Sequence, residues 1–227
     1  MKTVLVTGAS KGIGRALTAK FLSEGFQVVC TSRRQSHLSM LEEQYGSNCI
    51  IRSLDLQSKE SIEQFITSIA EFRFDTVIQN AGALVNKPFE KISRDELYVS
   101  YEVNILGPFQ LQQLLMPLLQ PDAHTVFISS VGGFQGSVKF PGLTSYSTSK
   151  AAVVSLTELL QEEYKDSQLA FNCLCLGAVQ TEMLETAFPG YRAPLNPDQM
   201  ATFIYQFSTT AHTYLRGKVL PVSLSTP

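Results

Sequence analysis

Tyr146 and Lys150 bracket the run Tyr-Ser-Thr-Ser-Lys, which puts a phenol and an ammonium on one face of a helix. A free phenol titrates near 10 and exchanges protons poorly at neutral pH. An ammonium beside it favours the phenolate and makes the pair a usable acid or base. Ser130 closes an apolar run upstream and offers a hydroxyl to the same reacting oxygen, with Ser129 as the alternative if the intervening segment threads differently. Far earlier, Thr7-Gly8-Ala9-Ser10-Lys11-Gly12-Ile13-Gly14 places three glycines between a strand pattern and a helix pattern. Gly8 permits a sharp turn, while Gly12 and Gly14 let backbone approach a pyrophosphate and let the helix pack closely. The helix start adds free N–H groups and partial positive charge. A proton-moving pair and a dinucleotide cradle on one chain point to hydride and proton transfer between a nicotinamide coenzyme and a carbonyl or alcohol.

Positioning these groups requires alternating strands and helices, and the chain supplies them. Short β-branched runs at 4–6, 27–31, 49–52, 75–79, 124–129, 169–174 and 218–222 read as seven strands. Their apolar character is continuous, as in a parallel sheet covered on both faces. Helical spacing fills the gaps at 13–22, 38–45, 59–70 and 147–164, with a long stretch over 93–119 that Pro108 is expected to kink or interrupt. Ser93-Arg-Asp-Glu96 and Asn196-Pro-Asp-Gln199 read as helix starts. The expected fold is α/β, a single-domain Rossmann fold over 1–227, with a doubly wound, mostly parallel seven-stranded sheet.

Composition narrows the function. Hydrophobic residues make up 44% and charged residues 17%, as in a folded globular domain rather than a disordered chain. A net charge of −2 gives no general attraction to nucleic acid or anionic membranes. No apolar run has the length to span a bilayer, and the first residues enter a strand pattern at once, so a cytoplasmic location is expected. Cys30, Cys49, Cys173 and Cys175 lack zinc-site spacing, and neither a metal nor a disulfide is expected.

The motif set resembles the short-chain dehydrogenase/reductase family over most of the chain. Three residues separate the first two glycines of its glycine-rich turn, as in that family. Asp55-Leu56 resembles the family's adenine contact, Asn80-Ala81-Gly82 its Asn-Ala-Gly motif, and Gly177-Ala-Val179-Gln-Thr181 its nicotinamide-side loop, with Leu176 where proline is usual. The resemblance implies that Tyr146 donates the proton, Lys150 orients the ribose and tunes the tyrosine, Ser130 positions the substrate, and Asn104 links a water relay to the lysine. It also implies a homodimer or homotetramer paired through helices near 102–119 and 147–164.

Coenzyme choice follows from charge. A free ribose 2′-hydroxyl favours a carboxylate at the end of the second strand. Here that strand ends Thr31-Ser32-Arg33-Arg34, without an acid. Arg33 and Lys11 resemble the family's basic pair for a 2′-phosphate, so NADP(H) is expected. Substrate choice is expected to lie in 182–197, with Met183, Leu184, Phe188, Tyr191 and Arg192, and in the long glycine-containing segment 131–145, which reads as flexible. Carbonyl reduction is the leading expectation. A 3-oxoacyl-thioester reductase would need a basic patch, for which Lys87, Lys91 and Arg94 are candidates. A non-catalytic NADP(H)-binding regulator would have no need of the Tyr146–Lys150 pair.

Overall fold

The computed structural model describes residues 1–226. Strand and helix alternate along it. β1 (Thr3–Val6) leads to α1 (Gly12–Ser23), β2 (Gln27–Ser32) to α2 (Ser39–Tyr45), and β3 (Cys49–Ser53) to α3 (Lys59–Ser68). β4 (Phe74–Gln79) is followed by α4 (Arg94–Tyr101) and α5 (Gly107–Leu115), and β5 (Leu119–Ser130) by α6 (Thr144–Glu163). β6 (Ala170–Leu176) precedes α7 (Glu182–Ala187), α8 (Pro197–Thr210) and β7 (Val219–Val222). The sheet order is β3-β2-β1-β4-β5-β6-β7, and every described pairing is parallel.

Burial on both faces explains the uninterrupted apolar strands. Val4 and Val6 of β1 pack with Leu17 and Phe21 of α1 and Ile204 and Phe207 of α8. Leu5, between them, faces the other way onto Phe65 of α3 and Leu111 and Leu115 of α5. Further along that second face, Phe127 and Phe171 meet Val153 and Leu156 of α6. Each fully buried side chain of this kind contributes about 1.5–3 kcal/mol relative to exposure. One buried polar network crosses the sheet. Lys218 N–H donates to Asn172 Oδ1 at 2.8 Å, which turns Asn172 Nδ2 toward His124 Nε2 at 2.9 Å. Nε2 therefore accepts, and Nδ1–H donates to the Ser208 carbonyl at 2.9 Å, so His124 is neutral.

Both expected helix starts form. Ser93 and Glu96 close a capping box on α4, and Asn196 and Gln199 close another on α8 with Pro197 in its first turn. The stretch 93–119 is not one helix. α4 stops at Tyr101, a π-helical turn occupies Glu102–Leu106, and α5 then begins at Gly107. Pro108 follows this π turn directly, in the first turn of α5, so the stretch is interrupted just ahead of the proline, which has no N–H to give. Gly107 lies so close against the Leu56 carbonyl that a β-carbon there would collide with it. α6 starts at Thr144 rather than 147, because Ser147 N–H donates to the Leu143 carbonyl at 2.7 Å and closes an earlier turn. The short helix α7, capped by Thr181, was not anticipated.

Candidate active site

The chain runs outward from β1 through β2 to β3, then returns to β4 on β1's other side. That reversal opens a crevice beyond the carboxyl ends of the strands. A cleft of about 900 Å³ occupies it.

Its coenzyme half is built by the loops leaving β1 to β4. Gly8 and Gly12 have φ of +69° and +54°, a backbone that residues with a β-carbon avoid. A β-carbon at Gly8 would stand 2.8 Å from Ala81 Cα, and one at Gly14 would strike the Gly8 carbonyl. Asn80 ties the two loops together: its Nδ2 donates to the Thr7 and Gly8 carbonyls at 2.9 and 3.2 Å. Thr7 Oγ1 accepts from the N–H groups of Asn80 and Ala81 at 3.0 and 3.1 Å. Lys11, the N-cap of α1, makes no side-chain cap, so the first N–H groups of that helix stay open to an anion. Gly8, Ser10, Lys11, Gly12, Ile13 and Gly14 all line the cleft. So do Arg33 after β2, Asp55 and Leu56 after β3, and Asn80, Ala81 and Gly82 after β4. Arg34 and His37 join them at the adenine end. No sequence signal beyond their proximity to Arg33 marked these two. The donor set and the glycine-shaped floor fit a dinucleotide.

The reacting half comes from β5, α6 and β6. Ser130 ends β5, with its Oγ accepting from Gly132 N–H at 3.2 Å and its proton left for the cleft. Ser129 is buried and donates to the Lys150 carbonyl at 2.8 Å, so its proton is committed. Tyr146, in the first turn of α6, is half-buried in the cleft wall. Burial pushes its phenol above the ordinary 10, and the Ser130 side chain acts in the opposite direction. Lys150 is 4% exposed; its Nζ lies 6.0 Å from the Tyr146 ring centre and donates to the Ile128 carbonyl at 2.8 Å. Burial pulls its ammonium down from 10.5 to about 8. The phenol thus holds its proton at neutral pH, beside a lysine still charged there.

Asn104 is the exception among the expected site residues, because it does not line the cleft. It sits in the π turn, buried, one layer behind Gly82. Its Oδ1 accepts from Ala83 N–H at 2.8 Å, and its Nδ2 donates to the Ala83 carbonyl and to Ser149 Oγ, both at 2.9 Å. The side chain is fully committed to holding the segment after β4 against α6. Val179 and Thr181 do line the cleft. The loop bearing them is tied down by Gly177 N–H to the Val222 carbonyl at 2.8 Å and Gln180 N–H to the Leu195 carbonyl at 2.8 Å. Leu176, the departure from the family pattern, continues β6 in register between Ser130 and Val222.

The segment 131–143 is cross-tied rather than loose. Lys139 Nζ donates to the Gly132 and Phe134 carbonyls and to Ser137 Oγ, at 2.6–3.0 Å. Gly133 packs flat on α6, where a β-carbon would come within 2.6 Å of the Lys150 carbonyl carbon. Met183, Leu184 and Phe188 reach the cleft as expected, whereas Tyr191 and Arg192 do not. Tyr191 instead donates to Ser225 Oγ at 2.7 Å. Phe140 and Leu143, from the segment expected to shape substrate choice, line the cleft too, and Val99 and Val103 join them without having been anticipated. Among the described residues, no group of three His, Cys, Asp or Glu side chains is placed to hold a metal ion, and no helix is long and apolar enough to cross a membrane.

Known proteins resemble this chain in sequence and in fold. The chain is 31% identical over 193 residues to the benzil reductase ((S)-benzoin forming) of Bacillus cereus, covering 81% of this chain and 78% of that one. It is 27% identical over 240 residues to the 3-oxoacyl-[acyl-carrier-protein] reductase FabG of Thermotoga maritima, covering 97% and 96%. The crystal structure of a short-chain dehydrogenase/reductase from Brucella melitensis superposes with a TM-score of 0.88 at 23% identity, covering 97% of this chain and 94% of that one, which is a likeness of fold. The family model described as short chain dehydrogenase matches residues 2–192. With that match spanning most of the sequence, the chain belongs to the short-chain dehydrogenase/reductase family, oxidoreductases that use a nicotinamide coenzyme.

Proposed function

We propose that this chain is an NADP(H)-dependent reductase of ketones or aldehydes, with coenzyme binding and catalysis in one cytoplasmic domain. The observation that carries the reading is the meeting of Ser130, Tyr146 and Lys150 at one end of a cleft whose other end carries Lys11, Arg33 and Arg34. Lys11 and Arg33 supply charge for a 2′-phosphate, with Arg34 and His37 beside them, and β2 ends without a carboxylate to bind a free ribose hydroxyl. The bound nicotinamide supplies hydride. Ser130 Oγ holds the carbonyl oxygen by a hydrogen bond, and Tyr146 Oη gives that oxygen its proton. Lys150 would hold the ribose of a bound coenzyme, and its charge favours the phenolate left behind. Asn104 acts as a positioning residue, since its contacts fix Ala83 and α6 on either side of Lys150.

The relative that forms (S)-benzoin from benzil supports a carbonyl substrate. The thioester alternative draws on the 3-oxoacyl relative, but its basic patch is weakened here. Lys87 is paired with Glu96, which leaves Arg94 and Lys91 as its uncompensated charges. Exposed Leu97, Tyr98, Leu106 and Phe109, on and between α4 and α5, favour a homodimer or homotetramer joined through that face. The test is Tyr146→Phe, assayed with NADPH and a ketone panel at 340 nm. General acid catalysis is worth about 10²–10⁴-fold, and turnover should fall on that order with NADPH binding kept. Near-normal turnover by the variant would exclude Tyr146 as the acid.

A further inference from the structure

The substrate end of the cleft is apolar, lined by Leu84, Val99, Val103, Leu143, Met183 and Leu184. Two aromatic rings stand over it from different loops. Phe140 comes from the segment between β5 and α6, and Phe188 from the end of α7. Their ring centres are 5.9 Å apart at an interplanar angle of 71°, an edge-to-face pair, and both rings are half-buried and line the cleft.

The backbone under both rings is fastened to one short segment. Lys87 N–H donates to the Gly142 carbonyl at 3.0 Å, two residues beyond Phe140. Asn86 Nδ2 donates to the Ala187 carbonyl at 2.6 Å, next to Phe188. Gly142 has a φ of +85°, and Asn86 Oδ1 fills the space a β-carbon would take there. The two loops therefore carry their rings as one unit on the cleft that Ser130 and Tyr146 also line. An edge-to-face pair leaves part of a negative ring face and part of a positive ring edge uncovered. A third ring can meet either surface in a favourable geometry, whereas a linear alkyl chain gains only contact area.

We infer that Phe140 and Phe188 form an aryl clamp that selects uncharged carbonyl compounds bearing an aromatic ring beside the carbonyl. The inference rests on the carbonyl-reductase reading and names its substrate class. Each aromatic contact is worth roughly a 3- to 10-fold preference beyond the area buried.

The test compares two diones of equal carbon count, 1-phenylpropane-1,2-dione and nonane-2,3-dione, on the full chain and on Phe140→Leu, Phe188→Leu and Phe188→Tyr. Steady-state kinetics with NADPH gives the ratio of kcat/KM for the two. Calorimetry on the NADP⁺-loaded protein, which has no hydride to give, reads binding alone. The unmodified chain should prefer the aryl dione, about 10-fold or more in both readouts. Each Leu variant should lose roughly 3- to 10-fold of that preference, mainly through KM, and Phe188→Tyr should retain it. A preference unchanged in both Leu variants, or one for the linear dione, overturns the clamp even if both diones are reduced. Tighter aryl binding that is lost in the Leu variants, without turnover of either dione, upholds the clamp and removes the reductase reading.

Discussion

Lys150→Met separates function from stability, and the structure sets the size of the effect. The Lys150 ammonium is 4% exposed, with the Ile128 carbonyl as its hydrogen-bond partner. Burial lowers its pKa from 10.5 to about 8. That fall corresponds to about 3 kcal/mol by which folding disfavours the charged amine. Methionine has similar length and no charge, so it removes this cost and loses one hydrogen bond worth about 1.5–3 kcal/mol. The coenzyme-free variant should gain up to about 1.5 kcal/mol at pH 7, or up to roughly 6 °C in Tm for a chain of this size. The pH dependence is a stricter test. Between pH 8 and 10.5 the unfolded lysine keeps its proton and the folded one has lost it, so wild-type stability rises with pH in that window. By pH 9.5 the wild type should have regained about 2 kcal/mol on the variant, which has no such group. Urea unfolding of both proteins at pH 7 and pH 9.5 measures the gap. A gap that does not close, or a variant less stable than wild type at pH 7, would refute the account of a buried, destabilised ammonium. The same variant should reduce ketones at least about 100-fold more slowly and bind NADPH more weakly, because both the proton donor and the ribose lose their partner.

Two further predictions concern charge elsewhere. Arg33→Asp should cut the preference for NADPH over NADH by about 10- to 100-fold, since a charge-assisted hydrogen bond of about 1.5–3 kcal/mol is replaced by repulsion; coenzyme titration by fluorescence measures it, and equal affinities in the unmodified chain would sink the 2′-phosphate assignment. His124 is fully buried, and burial, with nearby His212 adding to it, lowers its pKa from 6.5 to about 4. The unfolded chain then binds the extra proton between those values, so this stability is present above pH 6.5 and lost as pH falls toward 4. The loss should reach about 2–3 kcal/mol by pH 4.5 and be absent from His124→Gln, as followed by urea midpoints; equal acid sensitivity of the two proteins would show that His124 is not the group responsible.

What the sequence made legible follows from how far each signal reaches. Strand runs, capping boxes and the glycine-rich turn are local, and the structure forms all of them. The π turn at Glu102–Leu106 was not legible, because its neighbours in space, Leu56 and Ala83, are remote in sequence. Asn104 could be singled out by resemblance, yet its clamp on Ala83 and Ser149 could not, since both partners come from other elements. Tyr191 and Arg192 read as pocket residues from their loop alone. The contact from Tyr191 to Ser225, from beyond the last strand, helps hold that stretch away from the cleft.

The same distinction divides the cleft itself. Gly8, Arg33, Asp55, Asn80 and Ser130 each stand at or just past the end of a successive strand. Once the sheet is registered, those strand ends are fixed relative to one another, so the coenzyme half and the reacting serine beside it are specified by five short local patterns. The substrate half has no such frame. Phe140 and Phe188 reach it from loops whose paths are set by Asn86, Gly142 and Lys139, contacts that no periodicity announces. Substitutions in that half alter packing between loops without disturbing a strand, so chains with this sheet can keep one coenzyme chemistry while their carbonyl substrates diverge. In this chain the inferred preference rests on the pair of rings, two half-buried side chains carried outside the strands.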